Sequence, residues 1–148
     1  MLNRSIFAAI GLCAAGAASA QMTPVGAWHT VDDATKEIKS LVVITESGGM
    51  LRGRIEKLLR KQADQSAVCD KCSDDRKGQK ILGLEIIRGA KKSDGKDVWE
   101  GGEVLDPENG SIYSARLTPI EGGQKLEMRG FIGVSLFGRT QTWIRVAQ

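Results

Sequence analysis

Short apolar runs separated by polar spacers organise this chain. In order they read VGAWHTV, IKSLVVIT, MLRGRIEKLL, ILGLEIIRG, DVWEGGEVL, SIYSARLTPI, KLEMRGFIGV and GRTQTWIRV. No stretch keeps the i, i+3, i+4, i+7 apolar stripe of an amphipathic helix over three turns, and several runs alternate with the period of two that half-buried strands need. Only residues 54–64, RIEKLLRKQAD, could hold a short helix. The spacers DDATKE, ESGG, KKSDGKD, DPENGS and EGGQ carry turn chemistry, and Asp94-Gly95 and Asn109-Gly110 tolerate the positive φ of tight hairpins. The pattern predicts an all-β fold, an antiparallel up-and-down meander of about eight strands with at most one short helix. Closure into a barrel removes the edges of such a sheet.

An eight-stranded barrel holds either a packed interior or one small ligand, and side-chain parity decides between them. In SIYSARL, Tyr113, Ala115 and Leu117 share the inward face; in KLEMRG, Leu126 and Met128 do. Two strands are ambiguous. GRTQTWIRV sets Thr140, Thr142, Ile144 and Val146 against Arg139, Gln141, Trp143 and Arg145, while DVWEGGEVL sets Val98, Glu100, Gly102 and Val104 against Trp99, Gly101, Glu103 and Leu105. An inward set of Trp99, Glu103, Tyr113, Arg139, Gln141 and Trp143 is an aromatic pocket with a few polar groups, the composition of a small-ligand site. Its charges need mutual pairing or an anionic ligand, because burying them alone costs several kcal/mol each. The other parity puts Thr, Ile and Val inside and leaves Arg, Gln and Trp on the surface.

The N-terminus changes the setting. MLNR, the apolar SIFAAIGLCAAGAA and the small residues Ala18-Ser19-Ala20 form a signal peptide with an A-x-A cleavage site. The expected organisation is therefore a cleaved leader over residues 1–20 and one domain over 21–148. Cys13 follows Leu12 rather than the small residue of a lipidation signal, and falls within the leader. With 21 Lys and Arg against 18 Asp and Glu, the chain lacks the strongly basic face that nucleic acid demands.

Export bears on Cys69 and Cys72, the C-x-x-C of CDKCSDDRKG. A redox pair is activated at a helix N-terminus, whereas here Asp70, Asp74 and Asp75 favour the thiol and the segment is turn-like. Zinc needs two further ligands, and the one histidine, His29, is on a distant strand. A short-span disulfide ordering the longest connection, residues 60–80, suits an oxidising compartment.

Other constellations are weaker. His29 reads as an ordinary strand residue beside Trp28, so triads built on it find no support. Glu100, Glu103, Asp106 and Glu108 invite comparison with glycosidase carboxylates, but a strand running into a Pro-Glu-Asn-Gly turn explains them. Gly101-Gly102 lacks the Gly-Lys-Ser/Thr ending of a phosphate loop. Arg52, Arg54, Lys57, Arg60 and Lys61 would suit anionic lipid or an acidic partner, and suit a solvated strand end equally. No catalytic residues, metal site or cofactor motif assemble, so a non-enzymatic role is expected.

VGAWHTVDDATKE, GGMLRGRI, CDKCSDDRKGQ, WEGGEVLDPENGSIY and RGFIGVSLFGRTQTWIRV together resemble domain of unknown function 2147, a family of exported bacterial proteins with a lipocalin-like β-barrel. The resemblance covers the whole segment after the leader. It implies the barrel, export and the Cys69–Cys72 disulfide, and it suggests a periplasmic binding or envelope role. Lipocalins in general place a basic residue of the last strand over the Trp of a first-strand Gly-x-Trp. Gly26-Ala27-Trp28 with Arg145, or Arg139, looks like that barrel-closing pair. Two functions are expected to compete. One is a periplasmic barrel holding a hydrophobic or amphipathic ligand, anionic in one version; the other is a filled envelope-interaction or stress-related barrel that meets a protein or an anionic membrane surface.

Overall fold

The computed structural model describes residues 22–147, and the expected signal peptide lies outside the described residues. Eight strands follow one another: β1 (Gly26–Val31), β2 (Ile38–Ser47), β3 (Met50–Leu58), β4 (Glu85–Lys92), β5 (Trp99–Leu105), β6 (Ile112–Ile120), β7 (Lys125–Phe131) and β8 (Gly138–Val146). Each pairs antiparallel with the next, and β8 returns to pair with β1, which closes the barrel. A single 3₁₀ turn, Glu121–Gly123, is the helical structure among the described residues.

Residues 54–64, the one stretch that could hold a short helix, do not form one. β3 continues through Leu58, with Leu51, Gly53 and Ile55 buried and Arg52, Arg54 and Glu56 exposed. Pairing to β2 on one side and β4 on the other gives this segment its backbone partners. Local helix propensity in Glu-Lys-Leu-Leu is a weak preference that such pairing overrides. The run KLEMRGFIGV also ends earlier than its apolar residues do: β7 stops at Phe131, and residues 132–137 form a loop.

The two ends of the barrel differ in construction. Tight connections join β2 to β3, β4 to β5 and β6 to β7 at one end, here termed the closed end. Gly48 and Gly49 take positive φ in the first of these, as a two-residue hairpin requires. At the opposite end lie the longer connections, including the 26 residues from Leu59 to Leu84, the last residue before β4. Trp28, Ile44, Leu51, Ile87, Leu117 and Leu126 are almost fully buried and fill the closed half. Gly53 permits this density, because a Cβ there would lie 2.8 Å from Cδ1 of Ile87.

Candidate functional site

Above this packed half the barrel is hollow. A cavity of about 550 Å³ opens at the long-loop end, within the range that suits small-molecule pockets. Its apolar wall comes from Ile55 and Leu58 of β3, Val104 and Leu105 of β5, Met128 of β7 and Trp143 of β8. Tyr113 of β6 lines it too. Thr30 and Ser40 contribute a buried hydroxyl pair, Oγ1 to Oγ at 2.7 Å.

The ambiguous last strand turns its aromatic and polar face inward. Arg139, Gln141 and Trp143 all line the cavity, whereas Thr140, Thr142 and Ile144 are exposed on the outer surface. Asp33, on the β1–β2 loop, resolves the charge problem that this parity raises. Its carboxylate accepts a hydrogen bond from Nε2 of Gln141 at 3.2 Å and forms an ion pair with Nε of Arg139 at 3.6 Å. Trp143 Nε1 donates to Oε1 of Gln141 at 3.4 Å, a long contact that leaves the indole N–H weakly held.

Two members of the expected inward set do not line the cavity. Trp99 is buried, but at the closed end, with Nζ of Lys92 5.4 Å from its ring centroid. Glu103 is exposed on the outer face. Trp99 keeps the inward parity but is the first residue of β5, below the cavity. For Glu103 the cause is a register shift against β6 between Trp99 and Gly102, with Gly101 at φ +79°. The irregularity reverses the alternation, so Trp99, Gly102 and Val104 face inward and Glu103 faces out. Gly102 has no room for a side chain, since a Cβ would collide with the Ala90 backbone nitrogen.

An ion network braces the mouth. Arg60 Nη2 reaches Asp32 at 2.9 Å and Glu108 at 3.0 Å, and Lys39 reaches Glu108 at 3.3 Å. One guanidinium thereby ties the β1–β2, β3–β4 and β5–β6 connections together. Backbone N–H groups of Thr35 and Ala34 donate to Asp32 and, with Arg60, hold its carboxyl below the usual range. The remaining carboxylates of the glycosidase comparison do not converge. Glu100 pairs with Arg116 at 3.0 Å, and Asp106 accepts the backbone N–H of Glu108 in its turn.

Cys69 and Cys72 form a disulfide, and both are buried. Their loop packs against the β5–β6 connection so closely that a Cβ on Gly110 would collide with the Lys71 carbonyl. It is anchored to the barrel wall by charge. Arg76, almost fully buried, pairs with Asp74 at 2.6 Å and donates to the Glu85 carbonyl at 2.9 Å. These Arg76 hydrogen bonds draw the Asp74 pKa from its ordinary 3.8 down to about 2. Burial pushes Glu85 up, but Arg88, at 2.6 Å, and Arg52 outweigh it and hold it below the usual range. Arg52 and Arg54 thus serve this wall-to-loop network, each 3.3 Å from Glu85. Lys57 and Lys61 are exposed. Among the described residues, no cluster of His, Cys, Asp and Glu has the arrangement of a metal site.

The closed end carries the expected clasp. The Arg145 guanidinium lies 4.2 Å from the Trp28 ring centroid and donates to the carbonyls of Gly123, Val25 and Thr23 at 2.6, 2.9 and 2.6 Å. Trp28 Nε1 donates to the Pro24 carbonyl at 2.8 Å. Gly26, at φ +134°, leaves space for Arg145, because a Cβ would stand 2.5 Å from Nη1. Arg145 fills this role and Arg139 does not. Sequence reasoning missed Thr30, Ser40, Leu58 and the mouth residues Phe131 and Phe137. The signal for Phe131 was the apolar tail of KLEMRGFIGV, which reads as strand, while Phe137 lies beyond that run, in SLFG.

A family profile described as "Uncharacterized protein conserved in bacteria (DUF2147)" matches residues 26–145. No curated protein matches the chain. Among solved structures, protein HP1028 from the human pathogen Helicobacter pylori, described as belonging to the lipocalin family, superposes with a TM-score of 0.70 at 17% identity. The likeness covers 83% of this chain and 82% of that one, and it shows a shared fold.

Proposed function

Since the chain belongs to the DUF2147 family, we propose a function from the cavity itself: an exported, periplasmic binding protein of lipocalin type for a hydrophobic or amphipathic small molecule. The observation that carries this reading is the cavity of about 550 Å³ with Trp143 and Gln141 on its wall. Ile55, Leu58, Met128 and Trp143 would surround an apolar body. Lys39, Arg60 and Arg139 at the mouth would meet an anionic head group, in competition with Glu108 and Asp33. The leader-like N-terminus and the Cys69–Cys72 bridge support an oxidising location. Binding rather than catalysis is the role inferred.

Native mass spectrometry of protein released gently from the periplasm tests the proposal. A co-purified lipid-like molecule is expected, together with saturable uptake of a fluorescent fatty-acid analogue that quenches Trp143. Trp143→Ala should weaken that uptake by about tenfold or more, as loss of a buried aromatic anchor does. Repeated preparations without a bound molecule, combined with no saturable probe uptake, would overturn the proposal.

A further inference from the structure

The β7–β8 connection stands apart from the rest of the surface. Ile132, Val134, Leu136 and Phe137 are 71%, 59%, 78% and 74% exposed, a concentration of apolar side chains on one six-residue loop that folding alone disfavours. The segment from Gly130 to Gly138, GFIGVSLFG, carries no charge and is bracketed by Arg129 and Arg139. No Asp or Glu occurs from Met128 to the end of the sequence.

The loop is built to keep these side chains outward. Arg129, at its base, donates from Nε to the Ser135 carbonyl at 2.8 Å and from Nη2 to the Leu136 carbonyl at 3.3 Å. The Phe137 N–H closes a turn on the Val134 carbonyl at 3.1 Å. The Val134, Ser135 and Leu136 carbonyls and the Phe137 N–H are therefore partnered within the loop, which lowers the cost of bringing the tip to a lipid boundary. Arg139 is 70% exposed at the loop's other foot, held by a single long ion pair to Asp33.

We propose that the barrel docks mouth-first on an anionic membrane surface, with Ile132, Val134, Leu136 and Phe137 entering the headgroup boundary and Arg139 facing lipid phosphates. Three observations favour a lipid surface over a second copy of the chain. The tip is a small protrusion, whereas a stable protein interface needs about 800 Å² from each partner. The flanking arginines complement anionic headgroups without any acidic neighbour in the segment. Phe131, Ile132 and Phe137 also line the cavity, so a docked loop would set the opening against the acyl layer. The inference goes beyond ligand binding and holds whether or not the cavity is filled.

Co-sedimentation of the purified protein, without added ligand, with vesicles of phosphatidylglycerol and phosphatidylethanolamine tests it against vesicles of phosphatidylcholine. Wild type should pellet with the anionic vesicles. Val134→Ser combined with Leu136→Ser, at positions that do not line the cavity, should weaken this by about tenfold or more. Arg139→Gln should reduce binding several-fold on anionic vesicles alone. In Leu136→Trp, emission should shift to the blue on vesicle addition, a readout that does not depend on comparing stabilities. Wild type that stays in solution with every vesicle, or a double serine variant that pellets like wild type, would overturn the proposal. A dimer in analytical ultracentrifugation that the serine variant abolishes, without vesicle binding, would overturn it in favour of self-association.

Discussion

Trp28 and Trp143 are both buried, each on a strand face that includes or meets a cation, yet they sit in opposite kinds of surroundings. Around Trp28 every hydrogen-bond acceptor is backbone: the indole donates to one carbonyl, and Arg145, over its ring, spreads across three more. Around Trp143 the partners are side chains, Gln141 and through it Asp33, at longer distances and beside empty space. Backbone acceptors are placed by the fold and hold one arrangement. Side-chain partners, one of them on a loop, exchange more easily, and a ligand can replace them without unfolding the barrel. The same residue types therefore make a fastener at one end and a receptive wall at the other.

Replacing each tryptophan is the strongest way to break this comparison. Trp28→Ala should lower unfolding free energy by about 4 kcal/mol, since it empties a fully packed site. It would also leave Arg145 without its ring. Trp143→Ala should lower it by roughly half as much, because one side of that ring already borders a cavity and forms fewer contacts. Denaturant titration of both variants measures the difference, and equal losses would erase the distinction between the two ends.

A smaller effect is expected at the cysteine loop, which belongs to the open end but is anchored by charge. Cys69→Ser with Cys72→Ser should cost at most about 2 kcal/mol, given the short span closed. Fatty-acid probe uptake should change little, because Arg76, Asp74 and Glu85 still anchor the loop. Loss of the folded state in this variant would show that the bridge, not the ion network, holds that side of the mouth.

The smallest effect sharpens the role of that network. Asp74 has a folded pKa of about 2, below its ordinary 3.8. A depressed carboxylate contributes its stabilisation fully above the unfolded value and loses it as pH falls towards the folded one. Thermal stability should therefore decline between about pH 4 and pH 2, and Asp74→Asn should flatten the curve in that window. An unchanged acid profile in the variant would remove Asp74 from the anchor.

The fold was legible because its determinants are local and repetitive. Alternation in SIYSARL and KLEMRG, and turn residues at Asp94-Gly95, point to strands and hairpins without tertiary information. Four of the six expected pocket residues were legible for the same reason: Tyr113, Arg139, Gln141 and Trp143 share the cavity as one parity allows. Choosing that parity needed Asp33, whose approach to Arg139 and Gln141 is set by the barrel and spans 108 residues of sequence to Gln141. Glu103 is misplaced because an irregularity at Gly101 reverses the alternation, and a glycine pair announces either a turn or a bulge. Trp99 faces inward as expected, but from the first position of β5, below the cavity. The β7–β8 loop was hidden for another reason. Ile132 and Val134 look like strand continuation, and only backbone geometry reveals that the sheet has ended at Phe131.

The Arg145 clasp has a consequence for how the protein is made. Its bonds to Val25 and Thr23 join residues 120 and 122 positions apart, and β8 pairs with both β7 and β1. A growing chain that lacks its last nine-residue strand exposes two unpaired sheet edges, on β1 and β7, which are templates for aggregation. Contacts this distant in sequence also form slowly, because their loop-closure entropy is lost before they contribute. The barrel is thus a structure that cannot be assembled progressively from its beginning: it becomes a closed object only when the final strand arrives, and until then it depends on not meeting another copy of itself.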